Sequence, residues 1–437
     1  MIRLKSLFRR LSNTEIIKVF SLNAMATTVK MLTGLISVKV VAAIIGPAGI
    51  ALLGQLNNIN TIIFGIASGG INNGVTKYIS ENKENKKNVR NLLSNALRIA
   101  LCFTLIVSIG LIILHDYLSR WILLSDEYGY VFIVLGFTII FYTLNSLLIS
   151  IINGFKEFKK YVRVNIYGTI LGLLFSITLV SYFGLTGAMI NAVTFQSIMF
   201  FITLWMCRKC PWLSIFYFTG TYDKSITQKY LKYSLMTFFS LALVPVSQML
   251  LRGYVISEIS ITDAGLWEGM NRISNMYLSI ITTSFSVYYL PRLSEIKDNY
   301  DLRYEIFRCY KFIIPILLFS TISIYSLRHF IIWLLFTPSF YPMENLFIWQ
   351  MLGDLFKISS WLLSFLMVAK AKTTAFITSE IVFSLSFIGL GFMFMHLNGT
   401  VGITQAYMVN YFLYLLTMIW LFKSIIFAKK NENTSNN

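Results

Sequence analysis

Apolar segments of about 20 residues recur along the whole chain, with short polar loops between them. A helix of that length crosses a bilayer, because each residue adds about 1.5 Å and the hydrocarbon core is about 30 Å thick. The pattern therefore predicts an all-α polytopic membrane protein. The predicted spans, roughly twelve, are 17–45, 48–76, 91–114, 129–153, 162–182, 186–207, 228–255, 264–290, 305–327, 343–369, 373–396 and 401–426.

Composition agrees with this prediction. Of the 437 residues, 56% are hydrophobic and only 13% are charged, whereas soluble domains carry about 25% charged residues. The net charge of +18 comes from alternate loops, such as those around Lys86 and Lys159, while the intervening loops carry acids such as Asp126 and Glu258. This is the positive-inside pattern, so we expect both termini in the cytoplasm and no binding of nucleic acid.

The two halves of the chain share short motifs about half the chain apart. Ala48-Gly49-Ile50 aligns with Ala264-Gly265-Leu266, and Gly184-Leu185-Thr186-Gly187 aligns with Gly399-Thr400-Val401-Gly402. Six spans per copy is an even number, so the two copies have the same orientation. We therefore predict two six-helix bundles related by a pseudo-two-fold axis along the membrane normal, with a cleft between them.

This repeat sets the predicted domain boundaries. They are an amino-terminal lobe (1–210), a cytoplasmic linker (211–227), a carboxy-terminal lobe (228–428) and a disordered cytoplasmic tail (429–437).

Polar and charged residues inside the predicted spans are the candidate functional residues, because charges within a bilayer usually face a hydrated cavity or a partner. The candidate substrate-binding cations are Lys30, Lys39, Lys77, Arg252, Arg272 and Lys357. The candidate polar wall consists of Gln55, Asn58, Asn72, Glu268 and Asn275. Two alternatives stay open: small and polar residues also pack helices together, and Lys39 and Arg252 lie near span ends, where they could snorkel. A cationic cleft with amides and aromatic rings suits an anionic, sugar-bearing substrate.

Three acids lie within the predicted spans and are candidates for proton coupling, namely Asp354, Glu268 and Glu380. Glu268 precedes Arg272 by four residues and Asp354 precedes Lys357 by three, so each acid is also spaced to form an ion pair on its helix. A neutralised pair and a proton carrier are therefore both open for these acids.

Other chemistry is not indicated. Cys207 and Cys210 form a single CxxC motif without a second ligand pair, and the three histidines are scattered, so no metal site is predicted. No Walker A motif occurs, and we expect no cofactor and no enzymatic activity.

Several motifs, in order along the chain, resemble the Wzx-type O-antigen and enterobacterial common antigen flippases of the multidrug/oligosaccharidyl-lipid/polysaccharide (MOP) exporter superfamily. The resemblance covers essentially the whole chain and is closest to the common-antigen branch. The motifs are Gly46-Pro47-Ala48-Gly49, Gly74-Val75-Thr76-Lys77-Tyr78, Ser284-Phe285-Ser286-Val287-Tyr288, Leu290-Pro291, Trp349-Gln350, Gly353-Asp354, Val368-Ala369-Lys370-Ala371 and Gln405-Ala406-Tyr407-Met408.

The resemblance implies a flippase in the bacterial inner membrane that moves an undecaprenyl-diphosphate-linked oligosaccharide, such as an O-antigen repeat unit, from the cytoplasmic to the periplasmic face. It also implies contacts with membrane lipids and with other surface-glycan assembly proteins, such as a polymerase and a chain-length regulator. Two alternatives are weighed against it. A cation-coupled multidrug exporter of the same superfamily would be expected to carry acids in its first two spans, where none precedes Glu81. A membrane glycan polymerase or ligase would be expected to have a large outer loop.

Overall fold

The computed structural model describes residues 15–284, 289–370 and 372–427, and every regular element within these ranges is helical. The first helices are α1 (Glu15–Ala67), α2 (Asn72–Asn82), α3 (Lys86–Ile113), α4 (Gly129–Gly154) and α5 (Phe158–Cys207). They are followed by α6 (Lys224–Glu258), α7 (Ile261–Ser284), α8 (Leu290–Glu295), α9 (Asn299–Ser326), α10 (Arg328–Leu335), α11 (Glu344–Ala369), α12 (Thr373–Asn398) and α13 (Thr400–Leu421). Short helical turns cover His115–Leu118, Ser119–Leu123, Pro211–Leu213, Ile215–Phe218, Pro338–Met343 and Lys423–Ile426. The predicted tail (429–437) and residues 285–288 and 371 of the resemblance motifs lie outside the described residues.

Seven helical stretches among the described residues are long and apolar enough to cross a membrane. Two of them, Thr27–Ala67 with 41 residues and Phe158–Cys207 with 50, are long enough for two crossings each. Helices α6, α7 and α13, with 35, 24 and 22 residues, are also long enough for one crossing. Together these helices account for the roughly twelve spans that the apolar pattern predicts.

Both double-length helices bend at a glycine. In α1 the bend lies at Gly46 (φ 64°), which is followed by Pro47. In α5 it lies at Gly184 (φ 54°, ψ −129°), and Gly399, between α12 and α13, has nearly the same conformation (φ 57°, ψ −142°). Only glycine adopts such angles without strain. The two copies of the predicted Gly-x-x-Gly motif therefore make the same turn, as expected of an internal repeat.

The second predicted span (48–76) is wrong at its end. Helix α1 stops at Ala67, and Gly69 and Gly70 both have positive φ angles (65° and 62°) before α2 begins. The break is fixed by α6, because the Ser234 hydroxyl donates a hydrogen bond to the Gly69 carbonyl and a Cβ on Gly70 would lie 2.9 Å from the Ser234 Cα. Gln55 and Asn72 therefore do not share one continuous helix face. The end of the eighth predicted span (264–290) falls partly on residues 285–288, which lie outside the described residues.

The contacts divide the chain into two compact units. The first contains the described residues up to Ile45 together with Leu52–Pro245, and the second contains Gly46–Ala51 and the described residues from Val246 onwards. The division thus falls at Pro245 inside α6, beyond the predicted linker (211–227). Proline is a natural point of division, since it removes one hydrogen bond from a helix interior.

Each unit has its own apolar core. In the first unit, α3 and α5 pack on α4, and the core around Val75, Leu93 and Ile151 extends to Trp212. Trp212 belongs to the predicted linker, so part of that linker is built into the first unit. In the second unit, α9 and α13 pack on α11 around Leu362.

Candidate functional site

Glu268 on α7 bridges two arginines in the second unit. Its Oε2 accepts a hydrogen bond of 2.5 Å from an Nη atom of Arg252 on α6, and its Oε1 accepts one of 3.1 Å from Nε of Arg272, one turn further along α7. The predicted Glu268–Arg272 pair is therefore present, and Arg252 joins it. We call these three residues the arginine cluster. With two cations and one anion it keeps a net positive charge.

The two arginines differ in their access to solvent. The side chain of Arg252 is 0% exposed and lies 5.2 Å from the centre of the Trp267 ring, whereas that of Arg272 is 19% exposed. The alternative that Arg252 snorkels is therefore wrong. Arg272 is held through Nε, and its terminal amino groups form no hydrogen bond with any described residue. Those two groups lie in a plane and can donate together to a phosphate.

A second polar cluster lies one to two turns further along α7. The carboxylate of Asp354 on α11 is fully buried and accepts hydrogen bonds from Ser274 (2.5 Å), Tyr277 (2.6 Å) and Tyr407 (2.8 Å). We call these four residues the Asp354 cluster. Gln350 extends it by donating to the Ser274 hydroxyl at 3.2 Å. Three hydroxyl donors directed at one carboxyl match its ionised form, which only accepts hydrogen bonds.

Lys357 lies beside this cluster on α11. Its ammonium is 5.1 Å from the ring centre of Trp361, 5.6 Å from that of Tyr407 and 5.3 Å from that of Tyr411. Among the described side chains it makes no direct ion pair with Asp354, although the spacing of three residues allows one. The aromatic faces partly replace the carboxylate as partners of the ammonium.

Glu380 is half-buried on α12 and accepts a hydrogen bond of 3.5 Å from the Tyr414 hydroxyl. Asn275 is exposed on α7. The structure therefore brings Arg252, Glu268 and Arg272 into one cluster, and Asp354 close to Lys357, within the second unit.

The other candidates lie in the first unit. Lys30 and Lys77 are exposed, Lys39, Asn58 and Asn72 are half-buried, and Gln55 is buried. Two contacts explain positions within this group: Asn72 donates to the Ser146 hydroxyl at 2.8 Å, and the Lys77 ammonium lies 5.7 Å from the Tyr78 ring centre. Asn72 is thus tied to a neighbouring helix, as in the packing alternative.

Sequence reasoning missed the hydroxyl groups around Asp354. The candidate residues predicted on α7 are Glu268, Arg272 and Asn275, whereas Ser274 and Tyr277 form a separate pair three residues apart on another face. That spacing was a usable signal.

The CxxC cysteines are buried free thiols beside Lys160 and Glu157. Within the described residues, no group of three or more His, Cys, Asp or Glu side chains could hold a metal ion.

Comparison with known proteins identifies the family. The family described as polysaccharide biosynthesis protein matches residues 16–297, which is more than half of the chain. The chain belongs to this family. The Lipid III flippases of Escherichia coli (strain K12) and Shigella flexneri are each 27% identical to this chain over 395 residues, covering 90% of this chain and 94% of the relative. Both relatives are named as flippases, which agrees with the prediction of a non-enzyme.

Solved structures with low sequence identity establish the fold. An inward-facing multidrug resistance MATE family transporter of the MOP superfamily covers 97% of this chain and 100% of its own, with a TM-score of 0.72 and 15% identity. The Lipid II flippase MurJ in an inward closed conformation covers 92% of this chain and 89% of its own, with a TM-score of 0.73 and 17% identity. The family member thus has the predicted all-α, MOP-type fold.

Proposed function

We propose that the chain is a flippase that moves an undecaprenyl-diphosphate-linked oligosaccharide from the cytoplasmic to the periplasmic face of the bacterial inner membrane. The structural observation that carries the proposal is Arg272, a partly exposed arginine on a membrane helix whose terminal amino groups are available to a diphosphate. The Lipid III flippases that match 90% of the chain support a lipid-linked substrate. The proposed oligosaccharide is an O-antigen repeat unit or a similar surface glycan unit.

The physical problem for such a protein is the headgroup. Moving an unpaired charge from water into hydrocarbon costs on the order of tens of kcal/mol in solvation energy. A bare diphosphate therefore does not cross a bilayer. Basic and polar side chains along a hydrated path remove most of this cost, while the polyprenyl tail can remain in lipid. The sequence contains no Walker A motif, so we propose that an ion gradient or the substrate gradient supplies the energy.

Within this proposal the cations have different roles. Arg272 binds the diphosphate directly, and Glu268 orients Arg272 through its Nε. Arg252 is fully buried, so it acts through Glu268 and does not touch the substrate. We propose the exposed or half-buried lysines, among them Lys30 and Lys357, as further substrate contacts along the path.

The test is translocation by the purified chain in liposomes that contain the lipid-linked oligosaccharide, measured as the fraction of glycan that an added glycosidase can reach. Losing two charge-assisted hydrogen bonds of about 1.5–3 kcal/mol each in Arg272→Ala should lower the initial rate at least tenfold. Arg272→Lys should recover only part of the rate, because an ammonium cannot form the planar double contact. Lys30→Ala should also lower it.

The matched control is Arg292→Ala, because Arg292 is an exposed arginine on α8 that pairs with Glu295 at 3.3 Å. It should retain the full rate. A normal rate in both Arg272→Ala and Lys30→Ala, with the protein inserted at normal levels, would contradict the proposed binding roles.

The proposed orientation has its own test. In a Cys102→Ala background, single cysteines near Asp126 and Pro342 should react with a membrane-impermeant maleimide added outside cells. Cysteines near Lys86 and Lys159 should react only after the membrane is opened. Outside labelling near Lys86 would overturn both the cytoplasmic termini and the repeat argument.

A further inference from the structure

The aromatic segment, which we define as residues 211–222, carries large apolar side chains on the surface of the first unit. It consists of two short helical turns, Pro211–Leu213 and Ile215–Phe218, followed by four residues that lead to α6. Ile215 is 79% exposed, Phe216 50% and Tyr222 63%. Apolar side chains clustered in this way usually mark a surface that contacts a protein or a membrane.

Hydrogen bonds hold the segment against the first four turns of α3. Arg90 donates to the Thr219 carbonyl at 2.9 Å, and Ser94 and Arg98 donate to the Gly220 carbonyl at 3.0 and 2.8 Å. The exposed side chains therefore belong to a backbone that is held in place.

The inner side of the segment is also fixed. Trp212 is buried, stacks on Phe155 with ring centres 5.9 Å apart, and donates to Glu157 at 3.2 Å. On the other side of the segment, Ile215 is exposed, and the Phe216 ring lies 4.2 Å from the Arg90 guanidinium and remains half exposed.

The length of α3 sets the depth of the segment. Its 28 residues extend about 42 Å, roughly 12 Å more than the hydrocarbon core. The polar end, with Lys86, Lys87 and Arg90, is the end that projects from the core, and the segment lies along that end. This is the depth of the lipid headgroups, where aromatic side chains are enriched.

The charges around the segment are positive and face outwards. Arg90 and Arg98 are used to hold the backbone, but Arg208, Lys209 and Lys224 flank the segment and are exposed. The nearby acids are engaged elsewhere: Glu157 pairs with Lys160 at 2.8 Å, and Asp223 caps the start of α6. Among the described residues of the first unit, no acid forms an ion pair with these flanking cations.

We propose that the aromatic segment, with Arg208, Lys209 and Lys224, is a binding surface for the headgroups of acidic phospholipids in the leaflet on that side of the membrane. Ile215 and Phe216 enter the upper acyl region, and the three cations bind phosphate. Lipid is the occupant that the observations favour, because the surface lies at headgroup depth and combines aromatic side chains with cations. The inference does not depend on which glycan the protein carries.

Binding is tested by native mass spectrometry of the full chain purified in detergent, titrated with phosphatidylglycerol or phosphatidylethanolamine. Each basic residue near an acidic membrane contributes about fivefold to affinity at low salt. Exchanging Arg208, Lys209 and Lys224 for glutamine should therefore weaken the tightest phosphatidylglycerol site by well over tenfold. Binding of phosphatidylethanolamine should stay unchanged.

The matched control exchanges three exposed lysines of the second unit for glutamine, Lys297, Lys311 and Lys423. It alters the net charge by the same amount but should leave the tightest phosphatidylglycerol site intact. Equal weakening in both triple variants would show a general effect of net charge and would overturn the proposal.

Depth is tested independently with a nitroxide at Ile215→Cys in a Cys102→Ala background, with the protein in vesicles of phosphatidylglycerol and phosphatidylethanolamine. Oxygen dissolved in the acyl region should relax the label more than a water-soluble nickel complex. Relaxation mainly by the nickel complex would mean that the segment stands in water, free for a protein partner, and would also overturn the proposal.

Discussion

Replacing Asp354 by asparagine tests whether the Asp354 cluster is a structural anion or a site of proton transfer. The carboxylate is fully buried and accepts three hydroxyl hydrogen bonds of 2.5–2.8 Å, from Ser274, Tyr277 and Tyr407. An asparagine keeps the shape of the side chain but offers one acceptor oxygen in place of two. One hydroxyl then faces an amide group that can only donate.

The size of the effect follows from these contacts. A hydrogen bond to a charged group contributes about 1.5–3 kcal/mol and a neutral one about 0.5–1.5 kcal/mol. Changing three charged bonds into at most two neutral ones should therefore cost about 4 kcal/mol, in the range known for breaking a buried charge pair. The Lys357 ammonium lies nearby, among three aromatic rings. If the Asp354 carboxylate also balances the charge of this ammonium, the cost of Asp354→Asn is higher still.

The assay is thermal unfolding of the purified chain, followed by the fraction that stays monodisperse after heating. A loss of about 4 kcal/mol corresponds to a fall in Tm of roughly 10 °C for a unit of this size. Asp354→Asn combined with Lys357→Met should recover part of that fall, because no unpaired ammonium is left. The control, Asp301→Asn, changes an exposed carboxyl and should leave Tm within a degree or two. An unchanged Tm in Asp354→Asn would refute the structural argument.

Transport separates the two roles of this acid. If Asp354 carries the proton, its environment must change between the two faces of the membrane, and Asp354→Asn should uncouple flipping from a pH gradient while substrate still binds. If it is a structural anion, the double variant with Lys357→Met should fold and still respond to the gradient. A full response by that double variant would exclude Asp354 as the proton carrier. Glu268 and Glu380 would then be the remaining candidates.

Much of the fold was predictable because it depends on local sequence. Apolar length gives the spans, and Gly46-Pro47 predicts the bend of α1, since glycine permits a positive φ and proline interrupts helical hydrogen bonding. The repeated glycine motif likewise predicted that Gly184 and Gly399 are equivalent, and both have φ near 55°. These features need no knowledge of the packed structure.

The break between α1 and α2 was not predictable in the same way. The sequence is largely apolar from Ile62 to Ile71, and a pair of glycines within a membrane helix is common enough to pass unnoticed. What fixes the break is Ser234, more than 160 residues away along the chain, which bonds to the Gly69 carbonyl. A contact of that range leaves no periodic signal near Gly69.

The same reason limits prediction of the site. The Glu268–Arg272 pair was visible because its partners are four residues apart on one helix. Arg252 comes from another helix. Its position near the end of a predicted span suggested snorkelling, but the structure buries its side chain. For Asp354, the partner hydroxyls lie 53 to 80 residues away, so only its own neighbour Lys357 could be proposed as a partner.

Two remaining predictions concern buried charge and backbone. Gly70→Ala should lower Tm, because the new Cβ would lie 2.9 Å from the Ser234 Cα and the residue has a φ of 62°. The control is Gly34→Ala, where no atom lies within 4 Å of the new Cβ. It should leave Tm equal or higher. In Glu268→Gln, Arg252 keeps its charge at 0% exposure and loses its ion pair with the Glu268 carboxylate, which should cost about 3–5 kcal/mol. Adding Arg252→Met removes that charge, so the double variant should unfold at a higher temperature than Glu268→Gln alone. An equal or lower Tm in the double variant would mean that the arginine is held mainly by the Trp267 ring and its other surroundings, and that Glu268 is there to orient Arg272.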